Sequence, residues 1–254
     1  MSRSQHELVN AQFGPQANAY VASPVHATGA DLERIGALAA ANRPVRALDL
    51  GTGGGHVAYV LAPHAGTVVA CDLSSDMVAA VEREAVRRSL QNVTGTVAPA
   101  ERLPFSDAEF DLAASRFSAH HWADVARGLR ETRRVLKAGG TAVFVDVVGP
   151  PVAALDSHLQ AVELLRDPSH VRDYRPSEWT AMLEEAGFRI NEVQTWKLRM
   201  EFASWTTRIA TPPASVAAIR SLQTGGAATT TAYFAIEPDG SFEIDVAWFG
   251  ATAI

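Results

Sequence analysis

The sequence predicts an α/β fold, in which the strands of a parallel sheet alternate with helices. Two observations indicate it. An apolar run at residues 45–50 stops at a glycine cluster that begins with Gly51, and a helix-like stretch at 57–61 follows at once. A second apolar run, at 67–72, ends in Asp72, where a second parallel strand would end beside the first. The chain of 254 residues is long enough to bury a complete core.

The remaining elements follow in order along the chain. Apolar runs predict further strands at 92–97, 110–115, 141–147, 188–199 and 242–249. Amphipathic stretches predict helices at 31–41, 75–88, 124–137, 153–166, 177–187 and, with a proline interruption, 201–222. We expect Thr28 or Asp31 to cap the first of these helices, and Gly139 and Gly140 to stop the third.

The composition of the chain favours some classes of protein over others. Hydrophobic residues make up 47% of the chain and charged residues 20%, as in ordinary soluble enzymes. The net charge of −6 comes without a compensating basic stripe, which argues against nucleic acid as the main partner. The lone Cys71 cannot form an internal disulfide, and residues 1–13 lack an apolar signal core. We therefore expect a cytoplasmic protein with no membrane segment.

The glycine turn after the first strand has the features of a small-molecule site. Gly51 and Gly53 tolerate positive φ and lack a Cβ, so a ligand can lie against their backbone at the start of a helix. A dinucleotide fingerprint requires a further glycine at position 56 or 58, where the chain has His56 and Ala58. A glycine-rich turn without any ligand is the plain structural alternative.

The same stretch resembles the first motif of class I S-adenosylmethionine-dependent methyltransferases, Asp-x-Gly-x-Gly-x-Gly, at Asp49, Gly51, Gly53 and Gly55. The resemblance covers roughly residues 10–190. It also includes Asp72, the Ala-Glu-x-Leu-Pro-Phe segment at 100–105, and Leu-Lys-x-Gly-Gly at 136–140 before a strand. Among these enzymes the chain is most similar to the small-molecule type, such as the ubiquinone/menaquinone-biosynthesis methyltransferases.

This resemblance implies a Rossmann-like, seven-stranded, mostly parallel sheet with helices on both faces, whose last strand is antiparallel and lies between strands five and six. It also implies S-adenosylmethionine as the cofactor, with S-adenosylhomocysteine as its product, and a small-molecule acceptor. The first alternative is a non-catalytic S-adenosylmethionine-binding protein. An NAD-dependent oxidoreductase is the less favoured alternative. The acceptor, the methylated atom and the oligomeric state do not follow from the sequence.

The resemblance implies a set of cofactor contacts beyond the glycines. Asp72 would accept the ribose hydroxyls, although a plain helix-start role is the alternative. Tyr20 would close over the methionine end of the cofactor, with Phe13 and His26 nearby. The alternative is that these rings only pack the N-terminal segment against the core. The further contacts implied are Leu73 beside Asp72, Met77 near the adenine, the backbone of Ala100 and Glu101 at the adenine edge, and the Ser115 carbonyl at the methionine ammonium.

Two positions depart from the family pattern. Where related enzymes have Gly-Asp before the Ala-Glu pair, this chain has Ala98 and Pro99. The side-chain carboxylate that would reach the adenine amino group is thus absent. We expect adenine recognition to rest on backbone groups and stacking.

Two adjacent histidines, His120 and His121, follow the fourth predicted strand at the edge where open α/β sheets bind ligands. Imidazole titrates near neutral pH, so both are candidates for a general base, His121 ahead of His120. The alternatives are a capping or packing role, or a carbon or sulfur nucleophile that needs no base. No cysteine or carboxylate cluster joins the pair, so we expect no metal site.

The chain is predicted to divide into an N-terminal helical lid segment at 1–44 and a methyltransferase domain at 45–254. A substrate-side insert is expected around 200–236. Scattered aromatic residues are core by default, but four could line a substrate pocket: Trp179, Trp196, Trp205 and Tyr233. The basic residues of the helix at 124–137 are expected to form a solvated face.

Overall fold

The computed structural model of the chain describes residues 3–21 and 27–254. Seven strands form one sheet in the order β3-β2-β1-β4-β5-β7-β6. They are β1 (Arg46–Leu50), β2 (Thr67–Asp72), β3 (Val93–Val97), β4 (Phe110–Arg116), β5 (Leu136–Val147), β6 (Phe188–Met200) and β7 (Phe242–Ala253). The first five pair in parallel, and β7 is antiparallel to both β5 and β6. This is the topology that the sequence predicts.

Helices cover both faces of the sheet. The described α-helices are α1 (Gln5–Phe13), α2 (Ala17–Val21), α3 (Ala30–Asn42), α4 (His56–Leu61), α5 (Ser75–Arg87), α6 (Val125–Val135), α7 (Ala153–Arg166), α8 (Pro176–Glu185), α9 (Phe202–Thr207), α10 (Pro213–Gly225) and α11 (Ala228–Tyr233). Neighbouring strand residues point to opposite faces. Accordingly Ala47 packs with α3, α4 and α5, whereas Leu48 packs with α6 and α8.

A third apolar cluster lies under the segment that joins β6 to β7. Helices α9, α10 and α11 pack there against α7 and against the ends of the last two strands. Trp205, Phe234 and Ile219 are among its fully buried side chains. The segment thus folds as a layer over one end of the sheet, at the position of the predicted insert.

Three local predictions are wrong. Gly139 and Gly140 do not stop a helix, because α6 already ends at Val135 and β5 begins at the next residue. They lie instead inside β5, where the pairing register with β4 shifts, and Gly139 adopts the positive φ of 78° that this irregularity uses. The N-cap of α3 is Gly29, without a side-chain cap from either Thr28 or Asp31. The last strand runs to Ala253, past the predicted end at 249.

Three further predictions concern membrane association, location in the cell and the domain boundary. Within residues 3–21 and 27–254, no helix combines the length and apolar character that a membrane span requires. The cytoplasmic location and the boundary at residue 44 stay predictions.

Candidate active site

One cavity of about 680 Å³ opens where the carboxyl ends of β1, β2 and β4 meet. This is the edge at which open α/β sheets bind ligands. Its lining falls into two chemically distinct parts. We call one the glycine side, formed by Leu50, Gly51, Gly53, Asp72 and Ala100. We call the other the aromatic side, formed by Phe117, Trp196, Trp205 and Trp248 together with His120, Glu163, Arg166, Asp173 and Arg208.

The glycine turn requires its glycines for different reasons. Gly51 has a φ of 71°, and a Cβ there would lie 1.9 Å from Ser118 Oγ. Gly53 has a φ of 48°, and a Cβ on it would meet no atom within 4 Å. The turn is fixed by hydrogen bonds from the Gly51 and Thr52 amides to the Cys71 carbonyl oxygen, at 2.8 and 2.9 Å. A rigid turn therefore leaves the backbone of Gly53 open to the cavity.

The buried carboxylate of Asp49 fixes this turn through hydrogen bonds. Its side chain is 1% exposed, and Oδ2 accepts hydrogen bonds from Thr52 Oγ1 at 2.5 Å and from the Ala58 amide at 2.9 Å. Burial raises the pKa of this carboxyl to about 7, against the lowering effect of those two donors. The structure places Asp49 outside the cavity lining, as a positioning residue that ties the turn to α4.

Asp72 lines the cavity as the sequence predicts. Its Oδ2 accepts from the Gly53 amide and its Oδ1 from the Ser74 amide, both at 2.9 Å. Burial raises its pKa, while the backbone donors at 74 and 53 act in the opposite direction. Each carboxylate oxygen keeps a second lone pair, so a ligand hydroxyl can still donate to it.

The predicted adenine contacts also lie in the cavity lining. Leu73, Met77, Ala100 and Glu101 all line it. The Glu101 carboxylate is engaged elsewhere, because its Oε1 accepts from the Asp124 amide at 3.2 Å and its Oε2 lies 3.5 Å from His6 Nε2. This leaves the backbone at 100–101 as the part available to a ligand. Ala98 and Pro99, the departures from the family pattern, line the cavity too.

Gly55 and Ser115 lie outside the cavity lining. Gly55 is the N-cap of α4, and a Cβ on it would lie 2.5 Å from the Tyr59 hydroxyl, so its role is close packing. Ser115 is 3% exposed within β4, and its Oγ has no hydrogen-bond partner among the described residues. The role that the resemblance implies for Ser115 uses its backbone carbonyl, and it stays a prediction.

The N-terminal segment lies over the cavity. Phe13 and Tyr20 line it, and the Phe13 ring centroid is 4.9 Å from that of His121. The segment is held on one side by Gln5, whose Nε2 donates to the Ser169 carbonyl at 2.5 Å, and on the other by Gln12, whose Nε2 donates to the Ile209 carbonyl at 2.9 Å. His26 lies outside the described residues, and the lid role stays a prediction.

His120 forms a close pair with a buried acid. Its Nδ1 lies 2.5 Å from Oδ1 of Asp146, a β5 residue that is 2% exposed. Burial alone would lower the pKa of His120, but the charge and hydrogen bond of Asp146 outweigh it and raise this pKa to about 9. At neutral pH this imidazole is therefore a cation.

His121 has the opposite character. Burial, and then the charge of the neighbouring His120, lower its pKa to about 4. Its Nδ1 lies 3.2 Å from the Ser169 carbonyl oxygen, and its Nε2 lies 3.9 Å from Oδ2 of the buried Asp167. The pair therefore presents one cationic and one neutral ring at neutral pH, and only the neutral one is ready to accept a proton.

Sequence reasoning missed four charged residues of the aromatic side. Glu163 and Asp173 are buried, and burial raises the pKa of both carboxyls. Arg166 donates from Nε to the Trp205 carbonyl at 3.0 Å and lies over the Trp205 ring at 4.8 Å from its centroid. Arg208 completes the group. The available signal was the charged pair at positions 163 and 166, which lie one helical turn apart at the end of α7.

The four aromatic candidates divide evenly. Trp196 and Trp205 line the cavity. Trp179 stacks on Phe249 in the core, at 5.1 Å between centroids. The Tyr233 hydroxyl donates to Asp245 Oδ2 at 2.8 Å, away from the lining.

The family profile described as "Methyltransferase domain" matches residues 48–144, which run from β1 through most of β5. Among curated proteins, the uncharacterised protein YafE of Escherichia coli is 43% identical over 192 residues, covering 76% of this chain and 93% of that protein. The uncharacterised methyltransferase YcgJ of Bacillus subtilis is 36% identical over 200 residues, covering 79% of each chain.

Comparison of structures agrees with these matches. The crystal structure of the Bacillus subtilis YcgJ protein aligns with a TM-score of 0.83 at 30% identity, covering 87% of this chain and 97% of that one. A ubiquinone/menaquinone biosynthesis C-methyltransferase, UbiE of Geotalea uraniireducens, is 37% identical over 110 residues. That match covers 41% of this chain and 46% of UbiE.

Proposed function

This chain belongs to the class I S-adenosylmethionine-dependent methyltransferases, and on that premise we propose that it methylates a small molecule held in the aromatic side of the cavity. Its cofactor is S-adenosylmethionine, which supplies an electrophilic methyl group on a sulfonium sulfur and leaves as S-adenosylhomocysteine. Family membership favours this assignment over the dinucleotide alternative. The residue roles and the acceptor class that follow are proposals.

The glycine side fits this cofactor. Gly53 leaves its backbone uncovered, and Asp72 offers free lone pairs at the carboxyl end of β2, which suits the two hydroxyls of a ribose. Leu73 and Met77 give an apolar surface for adenine, and the backbone at 100–101 gives the polar edge. We assign Tyr20 to the methionine end, because it lines the cavity from the overlying segment.

The apolar and aromatic lining of the aromatic side is the observation that carries the small-molecule proposal. Three tryptophans line it, and α1 and α2 lie over the cavity. A pocket of this kind buries a small ligand, whereas a polymer needs an open, basic surface. The net charge of −6 and the UbiE relative, whose name refers to quinone biosynthesis, support the same acceptor class.

The chain's own contribution to the reaction is alignment and exclusion of water. For an acceptor that must lose a proton, the neutral imidazole of His121 would be the proton acceptor. The cationic His120, held by Asp146, would then stabilise the negative charge that develops on the acceptor oxygen. A carbon or sulfur nucleophile would use the alignment alone.

Two experiments test this function. Isothermal titration with S-adenosylmethionine, S-adenosylhomocysteine and NAD should give micromolar binding of the two sulfur compounds and no binding of NAD.

The second experiment supplies the enzyme with S-adenosylmethionine labelled in its methyl group and a cell extract separated into small molecules and macromolecules. Label in the small molecules is expected, and label only in the macromolecules would contradict the proposal.

The histidine assignment has its own control. With a hydroxyl acceptor, His121→Ala should lower kcat by about 10²- to 10⁴-fold, the usual contribution of a general base. His64→Ala removes an exposed histidine and should leave kcat unchanged. An unchanged kcat in His121→Ala would remove the base role while leaving the methyl transfer itself in place.

A further inference from the structure

Arg208 differs from the other arginines that line the cavity. It follows α9, is half-buried, and has neither a carboxylate within ion-pairing distance nor a side-chain hydrogen bond among the described residues. The other lining arginines are each paired with an acid: Arg34 with Glu192, Arg116 with Asp31, Arg166 with Glu163, and Arg199 with Glu237. One guanidinium in the cavity therefore lacks a counter-charge.

The charges around Arg208 do not supply one. The groups that act on it are Arg166, Tyr20 and Glu163. The only carboxylic acid among these three is Glu163, whose Oε2 lies 3.7 Å from Nη1 of Arg166. Burial raises the pKa of Glu163. Two guanidiniums thus share one carboxyl group that resists ionisation, so this end of the cavity carries excess positive charge. A half-buried cation without a partner costs free energy that an anionic ligand group would recover.

The surroundings of this charge are apolar and aromatic. Trp205 lies under Arg166, and Ile244 and Val147 are buried side chains of the same lining. Leu198 and Met200 extend this surface along β6. A guanidinium at the end of an apolar pocket matches a molecule with a flat apolar body and a terminal oxyanion.

We propose that the methyl acceptor is an apolar or aromatic molecule that carries a carboxylate or similar oxyanion, and that Arg208 binds this group. The inference rests on the proposed function, because it names the acceptor that the aromatic side takes. The methionine carboxylate of the cofactor is the other source of the same chemistry. The position of Arg208 in the segment between β6 and β7 favours the acceptor. The charge of Tyr20, which we assign to the methionine end, also acts on Arg208, so the test below distinguishes the two sources.

The test measures binding of named acids to the full chain saturated with S-adenosylhomocysteine. The probes are benzoate, 1-naphthoate and anthracene-9-carboxylate, each beside its uncharged carboxamide, by isothermal titration. In the unmodified protein we expect at least one carboxylate to bind about tenfold or more tightly than its carboxamide. Arg208→Met should abolish that preference and leave the Kd for S-adenosylhomocysteine unchanged. Arg208→Lys, which keeps the charge without the planar fork, should retain part of it.

Arg130→Met is the matched control, because it removes the same charge from an exposed position on α6. It should leave the preference intact. If no carboxylate binds more tightly than its carboxamide in the unmodified protein, the inference is overturned. It is also overturned if Arg208→Met or Arg208→Lys weakens S-adenosylhomocysteine binding and keeps the carboxylate preference, because Arg208 then serves the methionine carboxylate.

Failure of the proposed function gives a different result. In the labelling experiment it appears as label confined to macromolecules. The present inference fails instead when small molecules accept the label but the carboxylate preference is absent.

Discussion

The glycine side and the aromatic side of the cavity are built in different ways. On the glycine side, residues 49–58 and 71–74 form the geometry among themselves, mostly with backbone amides as donors. On the aromatic side the contacts join distant parts of the chain, such as His120 to Asp146 and Arg166 to Trp205. The first side therefore depends on backbone conformation, and the second on side chains that only the complete fold brings together.

This difference has a functional meaning. A ligand that all members of a family share can be held by backbone groups, whose positions survive most substitutions. An acceptor that differs between members is better recognised by side chains, which a single substitution can replace. The following predictions separate the two sides by asking whether backbone or side-chain changes have the larger effect.

The largest effect is expected for Gly51→Ala. The new Cβ would lie 1.9 Å from Ser118 Oγ, whose hydroxyl already accepts a hydrogen bond from Trp122 Nε1 at 3.1 Å. The positive φ adds strain, so we expect a loss of about 1–3 kcal/mol in the free energy of unfolding and loss of detectable S-adenosylmethionine binding. Thermal unfolding and isothermal titration measure both.

Gly139→Ala provides the matched comparison. Its φ of 78° is similarly strained, but no atom lies within 4 Å of the added Cβ, and the residue is outside the cavity lining. We expect a smaller loss of stability and unchanged cofactor affinity. Equal effects of the two substitutions on cofactor binding would show that strain alone, rather than the shape of the glycine side, controls the affinity.

A side-chain change on the glycine side should have an intermediate effect. Asp72→Ala leaves the Gly53 and Ser74 amides without their acceptor and removes the proposed ribose contact. We expect cofactor binding to weaken by about 1–3 kcal/mol. Asp76→Ala, an exposed acid on the neighbouring helix turn, is the control and should bind normally. An unchanged Kd in Asp72→Ala would remove the ribose assignment.

The smallest of these effects is expected for Asp146→Asn on the aromatic side, as a change in how the free energy of unfolding depends on pH. The folded-state pKa of His120 is about 9, above its ordinary value of 6.5. Pairing with Asp146 therefore stabilises the fold fully below pH 6.5, and this contribution is lost as the pH rises through 9. Asp146→Asn should lower the free energy of unfolding by about 1 kcal/mol or more at pH 6, with the difference shrinking above pH 9.

Denaturant unfolding between pH 6 and 10 measures this effect. Asp245→Asn is the control, because its carboxylate pairs with Lys197 and Tyr233 rather than with a histidine. Between pH 6 and 9 the control should shift stability by a constant amount. A constant shift in Asp146→Asn as well would show that His120 is not held as a cation in the folded protein.

The same difference explains what the sequence could predict. The bounds of β2 and the roles of Gly51 and Asp72 in forming the cavity follow from short, contiguous patterns, because a strand, a tight turn and a helix start are local structures. The glycine stop at Gly139 and Gly140 was wrong for the opposite reason. There the pairing of β5 with β4 extends the strand through the glycines, and no local pattern shows such pairing.

The residues that sequence reasoning missed are those whose meaning depends on the fold. Glu163 looks like an ordinary polar residue of an amphipathic helix, and Arg208 follows a short one. Only the packing of α7 and α9 against the ends of β6 and β7 brings them to the same cavity. The family resemblance supplied the motif positions Asp49 and Gly55 and the carbonyl role of Ser115. These residues lie outside the cavity lining, and their roles toward the cofactor stay predictions.

The antiparallel insertion of β7 has a consequence for the order in which the chain assembles during translation. β7 fills the space between β5 and β6, yet it is synthesised after both. Until it emerges from the ribosome, both of these strands lack the neighbour that completes their hydrogen bonds. The strands β1 to β4, by contrast, have all their neighbours in the sheet among β1 to β5. The nascent chain can therefore form the glycine side first, and the aromatic side is complete only when β7 joins the sheet.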